Sequence, residues 1–151
     1  MKKFKFSLEK VLEIKEIEEK IIQKKLLEVQ RQIYEAEAMI ITLTEKIALE
    51  REKIIKMSQT TTTSNDIMLH QKYIENLDKN IVLLRESIIT LRLNEEAIKK
   101  QLIEKSREKK ALERLKEIKF EEFRKEYNKE QQLFIDDISI QSHRFKVGVA
   151  Q

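Results

Sequence analysis

Apolar residues recur along this chain at alternating steps of three and four, stop, and then recur again. From Leu26 the series runs Val29, Ile33, Ala36, Ile40, Leu43, Ile47, then Ile54 and Met57. It resumes at Ile67 and continues through Ile74, Leu77, Ile81, Leu84, Ile88, Leu91, Ile98, Leu102 and Leu112. A repeat of about 3.5 residues keeps one stripe on one side of a helix that winds around another helix. Such a chain buries a seam, and it has no sizeable core in which to build a pocket.

The composition leaves few other options. The 151 residues are 38% charged and include one Gly, no Pro and no Trp, so tight turns are scarce and long helices remain. There is no Cys, which excludes disulfides and thiolate chemistry. No run of about 18 apolar residues exists to span a membrane. The opening MKKFKFSLEKVLEIK is basic, but charges interrupt every apolar run, so it does not read as a signal peptide.

The break in the seam falls at Ser58-Gln59-Thr60-Thr61-Thr62-Thr63-Ser64-Asn65-Asp66, a run of poor helix formers and good turn or cap formers. The expected fold is all-α: a long antiparallel two-helix coiled coil, the second helix longer than the first. Residues 1–151 read as a single hairpin, with helix one at about 6–58, the bend at about 59–66, helix two at about 67–139 and a frayed tail at 140–151. Ser7 is the expected cap of the first helix, with Phe6 stapled to Val11, and Asn65 or Asp66 the expected cap of the second.

Antiparallel partners share a constant sum of residue numbers, here about 124 for a bend at Thr62. Ile47 then faces Leu77, Ile40 faces Leu84, Ile33 faces Leu91, Leu26 faces Ile98, Leu12 faces Leu112 and Phe4 faces Phe120. Glu19 falls opposite Lys105. Lys15 against Lys109 and Val29 against Glu95 are poor layers. Beyond Phe120 the spacing continues through Phe123, Tyr127, Phe134 and Ile138 with no expected intrachain partner, so this overhang needs a cover.

A second stripe lies off the seam. Tyr34 and Ile41 of the first helix fall level with Val82, Leu83, Ile89 and Leu93 of the second, which reads as a docking patch at mid-rod. Charge is also uneven: residues 1–25 hold eight Lys against five Glu, residues 99–129 hold twelve basic against seven acidic, and residues 26–98 hold nine against twelve. Folding back places both basic segments at the end that carries the termini.

Catalytic and metal chemistry have no foothold. Glu95-Glu96, Glu121-Glu122 and Asp136-Asp137 are paired carboxylates without a desolvating pocket. His70 and His143 have no metal-ligand spacing, and no Gly-rich loop exists to hold a phosphate. No cofactor is expected. Acids interleave with the Lys throughout, which argues against nucleic acid.

Specific likenesses lie near the ends. The segment Phe4-Lys5-Phe6-Ser7-Leu8-Glu9-Lys10-Val11-Leu12-Glu13-Ile14-Lys15-Glu16, followed by Glu18-Glu19, resembles the opening of the flagellar FliJ family. Lys110-Ala111-Leu112-Glu113-Arg114-Leu115-Lys116-Glu117 resembles its second characteristic segment, and Phe134-Ile135-Asp136-Asp137-Ile138 its closing one. The resemblance implies a non-enzymatic, cytoplasmic stalk of the flagellar type III export apparatus, peripheral at the inner membrane. Its implied partners are a hexameric export ATPase, whose ring it enters and helps to assemble, a membrane export gate protein, and export chaperones. An export chaperone or coiled-coil adaptor for filament subunits, or the equivalent stalk of a virulence secretion system, is the alternative. Carried onto this sequence, the gate-facing residues are Tyr34, Ile41, Val82, Ile89 and Leu93. The ring-facing residues are Phe4, Phe6, Leu8, Phe123, Tyr127 and Phe134.

Overall fold

The computed structural model describes residues 2–60 and 63–150. Two helices make up the fold, α1 (Glu9–Ser58) and α2 (Ser64–Ala150). They pack together as a hairpin, and there is no strand among the described residues. The expected two-helix fold with a longer second helix is therefore present. Strong helix formers fill both segments, and the stiff Ile side chains fall where packing on the seam repays their lost freedom. Contacts divide the chain into two compact units, Met1–Glu19 with Glu104–Gln151, and Lys20–Ile103.

In the unit formed by Lys20–Ile103 the seam is apolar. One cluster joins Leu43, Ile47, Leu77 and Ile81, with Ile40, Ile74 and Leu84 packed against it. Another joins Ile22, Val29, Ile33, Ile88 and Ile98, with Leu26, Ala36, Leu91 and Leu102 alongside. These groupings hold the expected partners together: Ile47 with Leu77, Ile40 with Leu84, Ile33 with Leu91, and Leu26 with Ile98. The poor Val29 and Glu95 layer is relieved by Lys99, whose Nζ lies 3.5 Å from the Glu95 carboxylate while Val29 stays buried.

The other unit has a more polar seam. Leu12 is buried to 4% exposure, but ion pairs carry much of the rest. Lys15 reaches Glu108 at 2.8 Å, Lys105 reaches Glu18 at 3.1 Å, Lys109 reaches Glu19 at 3.2 Å and Lys116 reaches Glu9 at 2.8 Å. The apparent clash of Lys15 with Lys109 is thus resolved, because each ammonium turns to a neighbouring carboxylate. Glu19 accepts from Lys109 rather than sitting against Lys105 alone.

Three boundaries differ from the sequence expectation. First, α1 begins at Glu9, after an extended segment: the Phe6 carbonyl accepts from the Glu9 N–H at 3.2 Å, and the Leu8 carbonyl from the Leu12 N–H at 2.9 Å. Phe6 is buried while Val11 is 40% exposed. Second, α2 begins at Ser64, ahead of the expected caps. Thr63 precedes it, donating from Oγ1 to the Asp66 carboxylate at 2.8 Å and accepting the Asp66 N–H at 3.2 Å. Thr61 and Thr62, the centre of the expected bend, lie outside the described residues. Third, α2 continues to Ala150 instead of giving way to a tail at 140. No Pro interrupts it, and Gly148 does not adopt the positive φ with which Gly commonly ends a helix.

The expectation that nothing in the chain reaches past Phe120 is also corrected. Extended residues rise about 3.3 Å each against about 1.5 Å in a helix, so the segment before α1 spans roughly twice its own number of α2 residues. Phe4 packs on Phe120 with ring centroids 5.3 Å apart, as the register requires, and also on Phe123 at 5.6 Å. Lys2 then reaches Glu130 at 2.8 Å. Cover ends there.

Replacing Ile47, 5% exposed, with Ala should cost about 2–4 kcal/mol, because a seam contact becomes a void. Ile41→Ala, at a position 61% exposed, should change stability by less than about 0.5 kcal/mol. Urea unfolding followed by circular dichroism measures both.

Candidate partner-binding surfaces

The first surface belongs to the unit Lys20–Ile103. Tyr34 is 73% exposed, Ile41 61%, Ile89 62%, Val82 51% and Leu93 65%. The Arg92 guanidinium meets the Glu37 carboxylate across the two helices at 2.6 Å. On a helix, residues three and four apart are neighbours. Tyr34 and Ile41 therefore flank Glu37 on α1, and Ile89 flanks Arg92 on α2. The ion pair stitches one face on which these three apolar side chains share a neighbourhood. Val82 lies two turns from Ile89 along that stripe and lines a shallow apolar groove with Leu83, Asp78 and Lys79. Leu93 sits one step farther around the helix. The Glu37–Arg92 link was missed in the sequence, although both residues fall at the seam-flanking positions where antiparallel helices exchange charge.

The second surface belongs to the unit that holds the termini. Phe4, Leu8, Phe123 and Tyr127 are half-buried, and Phe123 stacks on Tyr127 with centroids 6.2 Å apart. Phe6 is buried, so it anchors the extended segment while its neighbours offer surface. Phe4 and Phe123 line a shallow groove with Lys5, Lys119, Glu122 and Glu126. Phe134 lies beyond the cover and is 62% exposed. The clamp of Lys2 on Glu130, also absent from the sequence reading, raises the Lys2 pKa through that hydrogen bond.

Electrostatics stiffen both units without building a reactive site. Hydrogen bonding to Lys15 holds the Glu108 carboxyl below its usual value, and Lys105 does the same for Glu18. Near the bend, His70 Nδ1 lies 2.5 Å from Glu50, which is buried at a seam position and also meets Lys53 at 3.1 Å. The hydrogen bond to His70 is the leading cause of a lowered Glu50 pKa. His70 is thus committed to a structural contact. No group of three or more His, Cys, Asp or Glu is placed to hold a metal among the described residues, and no described helix is long and apolar enough to cross a membrane.

The fold defines a two-helix coiled-coil hairpin. The family model described as flagellar FliJ protein matches residues 4–147, nearly the whole chain, and the chain belongs to the FliJ family. That family is a non-catalytic component of flagellar protein export, with a stalk role. No curated protein and no solved structure matches the chain. The opening and second motif segments resembling this family lie in one unit, where Lys116 joins them by its contact with Glu9 at 2.8 Å.

Glu50 carries a lowered folded-state pKa, so its contribution to stability is present above the unfolded carboxyl value of about 4.3 and is lost as pH falls through the folded value. Glu50→Gln should therefore be less stable than the parent at pH 7, and the two should converge in strong acid. Denaturant midpoints measured across that range test this.

Proposed function

We propose that this chain is the stalk that links the flagellar export ATPase to the membrane export gate. The unit holding the termini binds the hexameric ATPase ring and promotes its assembly and activity. The face around Glu37–Arg92 docks on the gate, so the protein works peripherally at the cytoplasmic side of the inner membrane. The observation carrying this reading is the aromatic run Phe4, Phe123 and Tyr127, which continues into exposed Phe134 in the unit that also holds the family-like motifs. Phe6 lines a groove with Phe4 and Phe123, and Leu8 is half-buried in the same unit. The surrounding segments are basic, with excess Lys and Arg over Glu in residues 1–25 and 99–129. A long helix with an uncovered aromatic face and a basic border suits insertion into an acidic protein ring.

Added to a cognate export ATPase, the chain should raise hydrolysis and shift the enzyme toward hexamers, as read by phosphate release and sedimentation. No change in either would sink the ATPase arm of the reading.

For the gate arm, Ile41→Asp with Ile89→Asp should leave helicity intact, since both positions are exposed, and should weaken gate binding by about tenfold or more. Calorimetry with the purified gate domain measures it. Unchanged affinity would mean that this stripe is not the docking face.

A further inference from the structure

Beyond Glu130 no contact from another described part of the chain covers α2. Phe134, Ile138 and Phe145 are 62%, 50% and 74% exposed. With Gln141 they step by four, three and four, which makes a short heptad seam.

This seam is complementary to itself. In an antiparallel pair each layer joins residues whose numbers share one sum. Phe134 with Phe145 and Ile138 with Gln141 share the same sum. Two copies therefore close a ladder with Phe against Phe at both ends and Ile against Gln between. The flanks follow from the same geometry. The residue before each of Ile138 and Phe145 meets its counterpart on the other copy, and those residues are Asp137 and Arg144. Both Asp–Arg contacts form along one edge. Along the opposite edge Ile135 falls level with Ser142, with no like charges opposed.

Charge also selects the direction. Glu130, Asp136 and Asp137 precede Ile138, while Arg144 and Lys146 follow Gln141. A parallel pair would set acid on acid and base on base. An antiparallel pair sets the acidic half on the basic half.

We propose that residues 134–145 of α2 pair antiparallel with the same segment of a second copy, which covers the aromatic face. The seam is short, so the dimer is weak and depends on concentration. Its paired Gln141 layers fix the register at a cost in affinity. The inference is independent of the export reading, and the purified chain alone tests it with no ATPase or gate present.

Sedimentation equilibrium of the full chain from about 1 µM to about 500 µM should show a monomer–dimer equilibrium. Phe134→Asp with Phe145→Asp should abolish it with helicity retained. Asp137→Arg should weaken it by about tenfold, since both Asp–Arg contacts become Arg–Arg, and Arg144→Asp should act alike. The double exchange Asp137→Arg with Arg144→Asp should restore the parent affinity to within about twofold. Because the chain has no Cys, an introduced one reports cleanly. A mixture of Ile135→Cys and Ser142→Cys chains should form disulfides faster than either alone. A chain that stays monomeric throughout overturns the proposal. So does a charge exchange that fails to rescue, or a mixture that cross-links no faster than either chain alone.

Discussion

Two helices can hide only one stripe each, and every other feature of this protein follows from that limit. A residue on a two-helix seam has a partner in front and solvent at its flanks. Even the best covered side chains, Leu12 at 4% and Ile33, Ile47 and Leu77 at 5%, keep a trace of exposure. Burial of such side chains contributes about 1.5–3 kcal/mol each, so the fold rests on a line of similar contacts with no dominant centre. It also rests on register, because a slip along the seam would misplace every layer together.

The two units meet this limit differently. Residues 20–103 use Ile and Leu clusters, with charge confined to contacts such as Glu37–Arg92 and Glu50–His70. Around Lys15, Glu18, Glu19, Lys105, Glu108 and Lys109, ion pairs replace apolar layers. Pairs at exposed positions contribute little stability, while their opposite charges still penalise misalignment. Apolar layers therefore supply the strength of the hairpin, and the lysine and glutamate ladder helps to fix its alignment where the layers thin out. Phe6 and Leu12 restore an apolar grip just before α1 gives way to extended chain.

Most of the hairpin was legible in the sequence because one periodicity, one break and one sum of residue numbers determine it. Ile47 with Leu77 and Phe4 with Phe120 follow from arithmetic alone. What the arithmetic could not see was a change of rise per residue. It treats Lys2 to Leu8 as helix, and so misses the reach of Lys2 to Glu130. Helix ends were also misread: Thr63, through its hydrogen bonds with Asp66, precedes a helix that starts earlier than the expected caps, and Gly148 does not adopt the positive φ that would end α2. For the candidate surfaces, the stripes were legible as leftovers of the heptad pattern. That Tyr34, Ile41 and Ile89 gather around one ion pair needed the cross-helix contact itself.

The uncovered part of α2 has the least to hold it. An isolated helix in water is marginal at this length, and Ile135, Ile138, Ile140, Phe134 and Phe145 are weaker helix formers than the Leu, Glu and Lys of the seam. Its apolar face contributes to stability only when something lies against it. Any occupant of that face, a ring or a second copy, therefore stabilises the helix that it binds by mass action. Both occupants would use Phe134, so they compete for one face. A weak self-pair can shield that face from indiscriminate contacts and still yield to a partner that covers more of the aromatic run back toward Tyr127 and Phe123.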